Sequence, residues 1–124
     1  MDIKKKVEKY KQQSIHYLEN ATIALNGGNV EKASEFLWGS MAEALKAVAA
    51  SEGRALTSHS SIRKYARELA KYLGDASIWD VFGSANYLHS NFYEAGLSAD
   101  EVYVYLSRIK EIVGKLINLI PEGV

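Results

Sequence analysis

Ser77-Ile-Trp-Asp-Val-Phe-Gly-Ser-Ala-Asn-Tyr-Leu-His-Ser-Asn-Phe-Tyr-Glu-Ala95 carries two stripes whose members recur at alternating steps of three and four. That period puts each stripe on one face of an α-helix. The first, Ile78, Val81, Ala85, Leu88 and Phe92, is wholly apolar and suffices to dock the helix on a core. The second, Trp79, Phe82, Asn86, His89 and Tyr93, joins aromatic rings to one amide and one imidazole. It is surplus to packing one face, so it should meet a partner subunit, a ligand or a second layer of core.

Working outward, the same helical period continues in both directions, and no stretch alternates with period two for long enough to be a strand. A first helix is expected from about Ile3 to Asn26, with Ile3, Val7, Tyr10, Ser14, Tyr17, Ala21 and Leu25 inward, ended by Gly27-Gly28. Asn29 can cap a second helix running to about Glu52, and the short turn makes an antiparallel hairpin. Ser58 or Ser60 can cap a shorter third helix, with Ile62, Tyr65, Ala66, Leu69 and Leu73 on its apolar side, stopped by Gly74. The fourth runs from about Ser77 to Ala95, with Gly96 placed to end it. Ser98 and Glu101 form a capping box that starts a fifth, which Pro121 halts. Residues 1–124 therefore read as one all-α domain, an up-and-down antiparallel bundle of four long helices and one shorter one.

Composition narrows the function classes. The chain has no cysteine, which excludes a disulfide framework and thiolate metal sites and makes a cytoplasmic home the expectation. The charged, periodic start, Met1 to Lys11, is expected to be neither signal peptide nor anchor. Every apolar segment is broken well short of the roughly 20 residues that span a bilayer, so no membrane partner is expected. Fifteen basic residues balance 15 acidic ones. With no global field, any nucleic-acid binding must come from a local patch.

One such patch lies on the third helix, where Arg63, Arg67 and Lys71 share a face and Lys64 adds a fourth cation able to grip phosphate. An ordinary solvated helix face is the competing reading, since no aromatic residue interleaves with these charges to stack a base. Within the mixed stripe, a hydrogen-bonded core pair, a symmetric interface fixed by Asn86, and a ligand site at His89 are the alternatives. His89 lacks an acid, cation or nucleophile on its own stripe, which argues against self-sufficient catalysis. The second helix also carries an extra stripe, Trp38, Ala42, Leu45 and Ala49, which calls for a second core layer or a subunit interface. The histidines at 16, 59 and 89 have no metal-ligand spacing, so neither a metal nor a cofactor is expected.

Several segments resemble a known family. Ala21-Thr-Ile-Ala-Leu-Asn-Gly-Gly-Asn-Val-Glu-Lys-Ala-Ser-Glu-Phe-Leu-Trp38, Ala44-Leu-Lys-Ala47, Thr57-Ser-His59 and Ala85-Asn-Tyr-Leu-His-Ser-Asn-Phe-Tyr-Glu94 look like the archaeal PaREP family of small helical proteins. That family is similar to the HEPN superfamily, the higher-eukaryote and prokaryote nucleotide-binding helical domains. The resemblance covers about Tyr17 to Ile117 and implies a bundle that pairs as a homodimer, with a role in RNA or nucleotide biology. Catalytic HEPN ribonucleases carry an arginine, four to six intervening residues and a histidine near the start of the late helix. Here Phe82, Gly83 and Ser84 stand where the arginine would precede His89. Arg54 and His59 satisfy the spacing, but in the connection before the third helix, away from the family's position. The resemblance thus implies fold and dimer more than nuclease activity. The expected function is a dimeric, non-catalytic HEPN-like module binding a protein partner or a nucleotide or RNA ligand. A metal-independent, toxin-like ribonuclease using His89 or the Arg54 and His59 pair is the rival, and a pure scaffold a third reading.

Overall fold

The computed structural model describes residues 2–124, except the side chains of residues 91–95, so Phe92, Tyr93 and Glu94 of the fourth helix lie outside the described residues. Five helices follow one another: α1 (Ile3–Asn26), α2 (Val30–Ser51), α3 (His59–Leu73), α4 (Ala76–Ala95) and α5 (Ala99–Asn118). No strand occurs among the described residues.

The caps explain the boundaries. Asp2 accepts from the Lys5 N–H at 2.8 Å and opens α1, and Asn29 accepts from the Lys32 N–H at 3.1 Å and opens α2. Each satisfies an amide that the helix itself leaves unpaired. Of the two serines eligible to start α3, Ser58 does so, exchanging side-chain and backbone bonds with Ser61. Ser98 and Glu101 form the expected box at α5. The fourth helix starts one residue earlier than its sequence pattern suggests, because the Asp75 carboxylate accepts from the Ser77 N–H at 3.0 Å. Gly74 and Gly96 end α3 and α4 in the left-handed region, at φ of 64° and 59°.

The middle of the bundle is α2, which packs against all four other helices. Twelve of its 22 residues are buried, a face much wider than one stripe, while Lys32, Glu35, Glu43 and Lys46 mark the side left open. Its second stripe is a second core layer, since Ala42, Leu45 and Ala49 lie in one cluster with residues of α3, α4 and α5. That stripe therefore gives no support to a subunit interface. Only Trp38, at its end, is left half-buried.

Small residues let α1 lie close along α2. The Ser14 hydroxyl donates to the Ser40 carbonyl at 2.7 Å, and the Ser40 hydroxyl donates to the Ser14 carbonyl at 2.8 Å. Both serines are fully buried. The exchange leaves neither hydroxyl unsatisfied, a state that costs about 1–3 kcal/mol in an interior. Next to it, a methyl group on Gly39 would stand 2.9 Å from the Tyr17 ring.

The α4 and α5 helices are pinned by Asp75, which takes a 2.5 Å ion pair from Lys115 besides its bonds from Ser77. Lys115, and then the Ser77 hydroxyl, lower the Asp75 carboxyl from 3.8 to about 2.

Two outcomes follow from this packing. Gly39→Ala should lower stability by about 1 kcal/mol, because overpacking at Tyr17 outweighs the gain in helix propensity. Gly114→Ala, where an added methyl meets nothing within 4 Å, should raise it by about 0.5–1 kcal/mol, both changes being read from urea titrations. A carboxyl whose folded pKa is depressed stabilises above its unfolded value and loses that contribution as pH falls through the folded one. The stability gap between the wild type and Asp75→Asn should therefore be constant above about pH 4 and shrink between pH 4 and about 2.

Candidate functional site

Three helices deliver rings to one place. The Ser58 cap fixes the first residue of α3, so His59 projects from that helix start, while Leu56 buries itself and anchors the connection. The indole of Trp38 on α2 stacks with the imidazole of His59 at 5.0 Å between ring centres and 25° between planes. It stacks equally with His89 of α4, at 5.1 Å and 20°. The two imidazoles are 6.4 Å apart, nearly parallel, and both residues are exposed. From there a ladder of rings runs inward along α4. Phe82 meets Trp38 edge-on at 5.8 Å, and Trp79 stacks on Phe82 at 5.7 Å. The Arg63 guanidinium lies 5.2 Å above the Trp79 ring.

Beside this ring cluster is a cleft of about 480 Å³, within the range of small-molecule sites. Its floor is the α2 face that carries Phe36, Trp38, Gly39 and Glu43, and its walls are Tyr17 of α1 and His59 at the start of α3. Tyr17 stacks on Phe36 at 6.0 Å. Glu43 is the unusual lining residue, because its side chain is only 14% exposed. Lys46 reaches one of its oxygens at 3.4 Å, while the other is buried with no partner among the described residues. A carboxylate oxygen in that state is an acceptor waiting for a donor.

The mixed stripe of α4 is thereby divided. Phe82 is core, 2% exposed. Trp79 is half-buried beneath Arg63, His89 is exposed against Trp38, and Tyr93 lies outside the described residues. The half-buried Asn86 is not a satisfied core pair, since its side-chain oxygen is buried with no hydrogen bond among the described residues. It borders a shallow cleft with Trp79 and Gly83.

Arg54 and His59 are not brought to a common task. The Arg54 guanidinium donates to Glu68 at 3.2 Å and lies 4.9 Å over the Tyr65 ring, whereas His59 belongs to the Trp38 cluster. The Tyr65 phenol donates to Glu52, and burial, then that carboxylate, push its pKa well above the usual value. Of the proposed phosphate patch, Lys64, Arg67 and Lys71 are exposed along α3, while Arg63 leaves them for Trp79. An aromatic residue does meet this patch after all, from another helix. Among the described residues no group of three or more histidine, acidic or cysteine side chains gathers as metal ligands. No helix among them is long and apolar enough to cross a membrane.

The model of the archaeal PaREP1/PaREP8 family matches residues 9–113. The chain belongs to that family. No curated protein and no solved structure matches it. The matched span holds every member of the ring cluster, so the arrangement lies inside the family's own domain.

Sequence periodicity missed the partners of this site. Trp38 reads as one more apolar position of α2, and His59 as one half of a chance spacing. The available signal was size, because a tryptophan ending a stripe of alanines cannot be enclosed by the close helix contacts those alanines permit.

Proposed function

We propose that this protein is a HEPN-like helical binding module, working as a homodimer and without chemistry of its own, that takes a nucleotide or a segment of single-stranded RNA. One observation carries the reading: the stack of Trp38 with His59 and His89 ends in two exposed imidazoles, and Trp38 and His59 line a cleft sized for a small molecule. A base has two π faces and adds to such a stack whatever its sequence, and each base–aromatic contact is worth about 1–3 kcal/mol. The unpartnered oxygen of Glu43 can accept from ring or exocyclic N–H groups. Arg63, Lys64, Arg67 and Lys71 supply cations along the neighbouring helix for a sugar–phosphate backbone. A protein partner explains the exposed imidazole pair less well, because interface cores favour large apolar anchors.

The dimer rests on the resemblance to HEPN bundles and on the half-buried Asn86, a side-chain type that can fix the register of two paired helices. Ribonuclease activity is the second reading, favoured by the 6.4 Å approach of His59 and His89, since two adjacent imidazoles can serve as acid and base for phosphodiester cleavage.

Titration with a short oligouridylate should quench the tryptophan fluorescence of the wild type, and Trp38→Ala should weaken binding by about tenfold or more. Unchanged affinity in that variant would remove the stacking account. The same RNA should remain intact in chelator. Cleavage abolished by either His59→Ala or His89→Ala would establish the second reading instead. In sedimentation at micromolar concentration the protein should run as a dimer, and a monomer would sink that part of the proposal.

A further inference from the structure

A second, smaller cleft adjoins the first and has a different character. It holds about 110 Å³ and lies where the start of α1, the end of α2 and the connection to α3 meet. Three cations line it, Lys6 from α1, Lys46 from α2 and Arg54 from the connection, with Tyr10 and the Gly53 turn completing the wall. No carboxylate lines it.

Cations do not gather in a small recess without cost, because at short range their repulsion is poorly screened. Two of the three are compensated from outside the cleft: Lys46 by Glu43 at 3.4 Å, and Arg54 by Glu68 at 3.2 Å. Each of these contacts engages one nitrogen of a group that has several donor hydrogens. Lys6 has no carboxylate partner among the described residues. Lys46 is also held in place, its ammonium 5.9 Å from the centre of the Tyr10 ring. The cleft therefore draws cations from three separate elements, with donor hydrogens that the two carboxylates do not use.

The geometry points to Lys6, Lys46 and Arg54 forming a binding site for a phosphate monoester, the terminal phosphate of a ligand whose organic part occupies the larger cleft. Size supports the division. The smaller cleft has less than a quarter of the larger one's volume, 110 against 480 Å³, which suits a compact oxyanion in the one and the organic part in the other. Continuity supports the link, because Lys46 and Leu56 line both clefts and form the boundary between them. Charge supports an anion, since no acid lines the cleft and the Lys6 ammonium is left uncompensated beside Lys46 and Arg54. The attachment of the phosphate to a stacked base rests on the reading given under Proposed function, whereas the anion site itself does not.

Isothermal titration of the whole protein at low ionic strength, with AMP, adenosine, inorganic phosphate and acetate, separates the two. AMP should bind about tenfold or more tightly than adenosine, and phosphate should bind where acetate at equal concentration does not. Lys6→Ala, a change at an exposed position, should bring AMP to within about threefold of adenosine and abolish phosphate binding while leaving adenosine unaffected. Arg54→Ala should act in the same direction, with its melting curve checked because it also frees Glu68. Phosphate binding lost in Lys6→Ala, with no adenosine binding, would uphold the anion site and defeat the base-stacking reading. Equal affinity for AMP and adenosine, no binding of AMP or phosphate, or an AMP preference that survives Lys6→Ala would each overturn the anion site.

Discussion

The structure depends on the enclosure of α2. A helix that is apolar over most of its circumference is stable in water only if that surface is covered, and α1, α3, α4 and α5 supply the cover. The tightest contact is with α1, where Ser14 and Ser40 exchange hydroxyl-to-carbonyl bonds and Gly39 leaves room for the Tyr17 ring. Small side chains make that approach possible, and reciprocal bonding removes the penalty of burying two hydroxyls. Shape and polarity are thus settled together at one crossing.

That crossing also creates the larger cleft. Because α1 lies close at Ser14 and Ser40, Tyr17 packs across Gly39, and the outer part of the α2 face from Phe36 to Glu43 stays open beside it. Trp38 is too large for the small-residue layer and emerges at its edge, where His59 and His89 cover it from two other helices. The ring cluster is a consequence of core geometry with an exposed end, joined through Phe82 to the interior.

Electrostatic balance shows the same separation between whole and part. Equal numbers of acidic and basic residues cancel over the molecule, yet the chain sorts them locally. Glu43 is drawn into a cleft wall, Asp75 into the joint of α4 and α5, and Arg54 onto Tyr65 and Glu68. Arg54 illustrates why a spacing motif is weak evidence. Its distance from His59 along the chain satisfies a pattern, but the side chain follows its nearest carboxylate and ring.

Helix number, order and caps were legible in the sequence because they depend on interactions within a few residues: a serine facing the third amide beyond it, a glycine able to turn left-handed, apolar side chains recurring with the helical period. Asp75 shows the margin of such reading, since a carboxylate two residues before Ser77 moved the start of α4. The inward faces were mostly legible, although Ile3 at the start of α1 and Leu73 at the end of α3 are 48% and 40% exposed. What tertiary structure alone decided was which residues from different helices meet. Periodicity assigns a side chain to a face but cannot say what lies opposite, so Trp38, His59 and His89 gave no sign of one another, and neither did Lys6, Lys46 and Arg54. Those meetings are set by helix crossings, which depend on side-chain volumes summed over the whole core rather than on any local pattern.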